Sequence, residues 1–238
     1  MARLTGTPRN VLAMPTQFTK EKSHGPREIR HVIFDVDGTL VENMELIVRS
    51  VNFAVKGLVG KEFSRDELYA SFGPTLEQII ADLVPPGERD KAVQRYHAYY
   101  REHFHELASV YEGIPALITR LRSEGIGMGL YTGSDGRMTK TTLELAGLQE
   151  LFPIVVTADD VREGKPDPEG LIRVLELMRT TRDGALYLGD AVRDIQAAKR
   201  ASIWSAAALW GFGDPTALRN SGPDFVFENP LDVLHELA

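Results

Sequence analysis

Asp35 and Asp37 stand two residues apart, directly after the apolar run Val32-Ile33-Phe34. A strand that runs straight into two carboxylates delivers both to its C-terminal tip, the edge at which parallel α/β sheets bind ligands. Spaced i and i+2 on a chain leaving the sheet, the two acids can face one pocket. One can attack an electrophile or hold a metal while the other handles a proton. Gly38 permits the tight turn that brings backbone amides close. A plain turn and helix cap would use Asp37-Gly38-Thr39 as well, so the pair needs support from elsewhere in the chain.

Three later segments supply it. Ile126 to Tyr131 reads as a strand and runs into Thr132-Gly133-Ser134, a hydroxyl and a glycine at its tip. Gly164-Lys165-Pro166-Asp167-Pro168 holds a lysine in a loop before a helix that Pro168 can open. Ala185 to Gly189 reads as a strand ending at Asp190, with Asp194 four residues on. Taken singly these are a strand-end turn, a helix start and an N-cap. In the order acid pair, threonine, lysine, acid pair, they suit a phosphoryl group. The acids can supply a nucleophile and hold Mg²⁺, while hydroxyl, amides and ammonium neutralise phosphate oxygens.

The spacing of these residues predicts the elements that carry them. Lys165 lies 33 residues after Thr132 and Asp190 lies 25 after Lys165, each close to one strand–helix–strand unit of about 30 residues. Thr132, however, lies 97 residues after Asp35, which leaves an insertion of roughly 65 residues. That interval reads helical over Met44 to Leu58, Arg65 to Phe72, Thr75 to Leu83 and Glu88 to Leu107, punctuated by Gly73-Pro74 and Pro85-Pro86-Gly87. After it, helices and strands alternate to the C-terminus. The expected fold is α/β, a Rossmann-like, mainly parallel sheet with helices on both faces plus an inserted all-helical cap. Residues 30–41 and 113–238 form the core domain in this reading, and 42–112 the cap. Residues 1–29 form a flexible N-terminal extension.

With these motifs in order from residue 30 to the C-terminus, the chain resembles a phosphohydrolase of the haloacid dehalogenase superfamily, in its phosphoglycolate phosphatase-like branch. The resemblance implies a Mg²⁺-dependent phosphomonoester hydrolase acting on a small phosphorylated metabolite, with a phosphoglycolate-like compound favoured. Asp35 would be the nucleophile that forms an aspartyl-phosphate, and Asp37 the general acid and base. Asp35, the backbone carbonyl of Asp37 and Asp190 would hold the metal, and Asp194 would orient a metal water or Lys165. For Asp194 a first-turn acid favoured by the helix dipole is the alternative. Thr132 and the Gly133 amide would bind phosphoryl oxygens, and Lys165 would balance charge on Asp35 and phosphate. Where this chain has Gly133 the family often has Asn, which removes a side-chain contact.

Specificity would come from the cap, where Phe72-Gly73-Pro74-Thr75 resembles the family's substrate-facing loop; Gly73, Pro74 and Thr75 are the candidate contacts. An ordinary helix–helix turn is the other reading of that loop. The aromatic cluster Tyr96, Tyr99, Tyr100 reads as cap packing. Trp210-Gly211-Phe212-Gly213 resembles a family loop near the cap hinge. The alternatives are a pyrophosphatase or nucleotidase, then a sugar phosphomutase, then a non-catalytic phosphate-binding protein. The family's mutases typically carry His twelve residues after the nucleophile, where this chain has Ile47, and favour Val where Thr39 stands.

Composition narrows the field. A hydrophobic content of 43% fits a globular protein, and no apolar run near 18 residues suggests a membrane span. The net charge of −7 argues against nucleic acid as the main partner. It is uneven, since residues 1–30 carry +4 and the rest −11. The absence of cysteine excludes disulfides and thiolate metal sites and suits a cytoplasmic protein. His103 and His105 face different directions on a helix, so a histidine metal site is not expected. A monomer or homodimer is the expected state.

Overall fold

The computed structural model describes residues 29–236; the stretch read as a flexible extension lies almost wholly outside the described residues. β1 (His31–Phe34) is followed by a short β2 (Val41–Glu42) and then by four helices, α1 (Met44–Val55), α2 (Arg65–Ser71), α3 (Leu76–Leu83) and α4 (Arg89–Leu107). After a short β3 (Ser109–Val110), helix and strand alternate: α5 (Ile114–Ser123), β4 (Gly127–Tyr131), α6 (Gly136–Leu145), β5 (Val155–Val156), α7 (Glu169–Leu177), β6 (Ala185–Gly189), α8 (Val192–Ala201), β7 (Trp204–Ala208), α9 (Pro215–Asn220) and β8 (Phe225–Phe227).

Six strands form one parallel sheet in the order β5-β4-β1-β6-β7-β8. The order reverses at β1, so the chain leaves β1 and β6 at the switch point where α/β sheets open a crevice. β1 and β6 are central, and Val32, Ile33, Phe34, Leu186, Tyr187 and Leu188 are fully buried. That is why these strands read as continuous apolar runs: with helices on both faces, neither side of the strand meets water. Only the strand ends are free to be polar.

The long interval between β1 and β4 adds no strand to this sheet. It leaves and re-enters through an antiparallel ribbon, with Val41 opposite Val110 and Glu42 opposite Ser109. The Tyr111 hydroxyl, donating to Glu42 Oε2 at 2.6 Å, clips the ribbon shut. Within the helices the core follows the helical repeat. Ala92, Tyr96, Tyr100 and Phe104, four apart on α4, are all buried and share a cluster with Leu46, Val51 and Ala54 of α1. Reciprocal capping boxes start α2 at Ser64–Glu67 and α3 at Thr75–Gln78. The helical readings of the sequence match to within a few residues. No helix among the described residues is long and apolar enough to cross a membrane.

Candidate active site

The chain turns sharply after β1. Gly38 adopts φ +80°, and a Cβ there would sit 2.3 Å from Asp190 Oδ2. Only glycine fits both that conformation and that approach. The Gly38 N–H donates to the Val41 carbonyl and the Val41 N–H to the Val36 carbonyl. The Asp37 carbonyl takes no part in this pairing. Asp35, Asp37, Thr132, Gly133, Lys165 and Asp190 line one cavity, together with Gly73 and Pro74 of the loop after α2. The sheet edge and the helical insert therefore meet around a common space. Thr75 lies in the adjoining groove instead, and its hydroxyl accepts the Gln78 N–H at 3.3 Å as the cap of α3.

Asp35 is turned by its neighbour: the Val36 N–H donates to Asp35 Oδ1 at 2.8 Å. Asp35 Oδ2 lies 3.0 Å from Lys165 Nζ, which also lies 2.8 Å from Asp194 Oδ1. Lys165 is held between the rings of Tyr131 and Tyr187, at 5.2 and 5.3 Å from their centroids. Its side chain is 3% exposed. Burial disfavours its charge, yet Asp194 and Asp35 hold the ammonium above the ordinary lysine value. Asp194, fully buried, is fixed by the Ala191 N–H at 2.9 Å and lies 3.2 Å from the Tyr187 hydroxyl. It sets the position of Lys165.

Asp190 is held by the Thr39 hydroxyl at 3.4 Å and by the Phe212 N–H at 2.7 Å. The loop Trp210-Gly211-Phe212-Gly213 thus closes over it. Trp210 Nε1 donates to the Thr39 carbonyl at 3.0 Å, and a Cβ on Gly211 would strike Asp190 at 2.3 Å. Burial pushes Asp190 up to about 8, with Asp194 and Asp35 adding to it. Burial raises Asp35 to about 6, against the pull of Lys165. Carboxylate oxygens of Asp35, Asp190 and Asp194 all lie within 4.8 Å of one another. Lys165 engages two of the three, so the ionised cluster carries surplus negative charge in a buried space. Such a donor set, all oxygen, fits a hard divalent cation such as Mg²⁺.

Asp37, on the same cavity, has partners of its own. Asn43 Nδ2 donates to its Oδ1 at 2.6 Å and the Ser134 hydroxyl to its Oδ2 at 2.6 Å. The same Asn43 nitrogen lies 2.8 Å from the Tyr100 hydroxyl, which lies 3.0 Å from Thr142 Oγ1. Tyr100 is therefore more than cap packing, because its hydroxyl reaches the support of Asp37. Sequence reasoning missed Asn43, Ser134 and the Phe212 amide as parts of the site. Asn43 stands at the N-cap of α1 without capping it, and Ser134 stands inside the Thr132-Gly133-Ser134 strand tip. The cavity wall also includes Ile47, Tyr69, Phe72, Leu76, Arg193 and Phe212.

Comparison with known proteins agrees with this architecture. The family model described as haloacid dehalogenase-like hydrolase matches residues 32–208. A Listeria monocytogenes protein named pyrophosphatase PpaX is 30% identical over 208 residues, covering 87% of this chain and 95% of that one. A crystal structure of a candidate phosphoglycolate phosphatase from Lactobacillus plantarum superposes with a TM-score of 0.73 at 27% identity, over 88% of this chain and 99% of that one. A candidate β-phosphoglucomutase from Thermotoga maritima gives 0.72 at 25% identity, over 88% and 100%.

Proposed function

The chain belongs to the haloacid dehalogenase-like hydrolases and is a phosphatase, and from that premise we propose that it hydrolyses a small phosphorylated metabolite through a covalent intermediate on Asp35. The observation that carries this reading is the single ammonium shared by Asp35 and Asp194, at 3.0 and 2.8 Å, inside a cavity that also holds Asp37, Thr132 and Asp190. Asp35 Oδ attacks phosphorus and the ester oxygen departs, taking a proton from Asp37. In the second half, Asp37 removes a proton from water, the oxygen attacks phosphorus, and the Asp35 carboxylate leaves with phosphate released. Splitting one hydrolysis into two steps lowers each barrier. Lys165, Thr132 and the Gly133 amide offset charge on the phosphoryl oxygens.

Asp35, Asp190 and the Asp37 carbonyl are the residues that would hold Mg²⁺. When bound, the ion would neutralise the repulsion between an anionic nucleophile and an anionic phosphate. Residues 42–112 act in this reading as the cap that supplies Gly73, Pro74 and the apolar wall. A phosphoglycolate-like substrate is favoured, and inorganic pyrophosphate is the second reading, motivated by the likeness to a protein named as a pyrophosphatase. Ile47 in the cavity wall, where the family's mutases carry His, favours water as the acceptor over a second sugar. The test is phosphate release from a panel of phosphate esters and pyrophosphate, with and without Mg²⁺. Turnover should need the ion and vanish in Asp35→Asn. Full activity after chelation, or in that variant, would overturn the reading.

A further inference from the structure

Arg193 stands between two site acids in sequence and is bound to neither. Asp190 is held by Thr39 and the Phe212 N–H, and Asp194 by Lys165 and the Ala191 N–H. Among the described residues, no carboxylate lies within 4.0 Å of the Arg193 guanidinium and no hydrogen bond engages it. Its five N–H donors are uncommitted. Yet the side chain is half-buried and lines the cavity that holds Asp35, Asp37 and Lys165. Arg193 also lies in the first turn of α8, where a cation opposes the helix dipole. Local helix energetics therefore do not account for it.

The guanidinium carbon lies 6.0 Å from the centroid of the Phe72 ring. Phe72 opens the turn that brings Gly73 and Pro74 to the cavity. Arg193 therefore spans from the sheet side, beside the metal-type acids, to the helical insert. Lys165 is already committed to two carboxylates, so Arg193 is the cation of this wall with donors to spare. A planar fork of donors matches a carboxylate or phosphoryl group in bidentate fashion.

Resting on the phosphatase reading above, we propose that Arg193 is a specificity-determining residue that takes a second anionic group on the substrate. The enzyme then selects phosphoryl compounds bearing a carboxylate or a second phosphoryl group close to the scissile bond. Esters with neutral tails leave the guanidinium unpaired. A bound double anion also bridges the two sides of the cavity, with its phosphoryl end at Lys165 and its far end beside Phe72.

The test compares wild type, Arg193→Gln and Arg193→Lys on phosphoglycolate, inorganic pyrophosphate and glycerol phosphate. Arg193→Gln should lose roughly 10–100-fold in kcat/KM on the two double anions, mainly through KM, and much less on glycerol phosphate. Arg193→Lys should recover part of the loss. Whichever double anion loses more identifies the group that Arg193 reads. Equal losses on all three substrates, or none, overturn the proposal. A second arm does not depend on turnover: binding of methylenediphosphonate and methylphosphonate measured by calorimetry. Wild type should prefer the diphosphonate and Arg193→Gln should lose that preference. If no ester or pyrophosphate is hydrolysed, the phosphatase reading fails while this arm still decides on Arg193. A preference retained in Arg193→Gln overturns its role.

Discussion

Asn43 Nδ2 lies 2.6 Å from Asp37 Oδ1. The same nitrogen serves the Tyr100 hydroxyl at 2.8 Å, so one carboxamide ties the loop after β1 to the middle of α4. The Tyr100 hydroxyl in turn pairs with the Thr142 hydroxyl on α6 at 3.0 Å. The proposed proton donor is thereby anchored to a helix of the insert and, through it, to a helix of the sheet domain.

Tyr100→Phe tests that anchorage. It removes an acceptor from Asn43 and the partner of the Thr142 hydroxyl in buried surroundings, which should cost about 1–2 kcal/mol of stability by chemical denaturation. Turnover of substrates with poor leaving groups should fall more than turnover of an activated aryl phosphate. Equal loss on both would assign Tyr100 to packing alone.

Replacing the acid itself should separate the same two substrate types further. Asp37→Asn keeps acceptors and donors near Asn43 and Ser134 but cannot deliver a proton. The expected cost is roughly 10²–10⁴-fold with a poor leaving group. A much smaller cost is expected with an aryl phosphate, because its leaving group needs little protonation. A uniform cost across leaving groups would count against the assignment.

The buried acids make the stability of the metal-free protein fall as pH rises. Asp35 and Asp190 titrate at about 6 and about 8 when folded, against 3.8 ordinarily. Between those limits the folded chain binds more protons than the unfolded chain, so unfolding becomes easier with each rise in pH. Mg²⁺ competes with these protons, and its stabilising effect should therefore grow from about pH 5 to about pH 8. Thermal unfolding of wild type and Asp190→Asn, with and without Mg²⁺, measures this. A Mg²⁺ effect that is flat with pH, or that persists in Asp190→Asn, would contradict it.

Thr75 separates a contact from a cap. Its hydroxyl is used in starting α3, so Thr75→Ala should cost about 1 kcal/mol of stability. The ranking of substrates should change little. A reordered ranking at unchanged stability would return Thr75 to the substrate.

Much of this was legible in the sequence for a definite reason. Buried parallel strands show as apolar runs, so the polar residues that end them stand out; Asp35, Thr132 and Asp190 were found this way. Lys165 was legible because prolines and a glycine mark its loop. β2 and β3, at two residues each, are too short to show a period. Asn43 and Tyr100 are 57 residues apart, and their contact follows from how α1 packs on α4. Arg193 was hidden by its neighbours: between two acids an arginine reads as their partner, and only geometry shows those acids engaged elsewhere.

The ribbon of β2 and β3 has an evolutionary consequence. Val41 and Val110 sit side by side, so the segment between them begins and ends at nearly the same point. A loop of any length whose ends meet at strand spacing could be spliced there without shifting the register of the six-stranded sheet. Asp35, Asp190, Asp194, Thr132 and Lys165 would keep their places while the roof above them changed. The fold thus separates a constant part of the site, which includes Arg193 on α8, from a changeable part that must still supply a partner for Asp37 where Asn43 now stands.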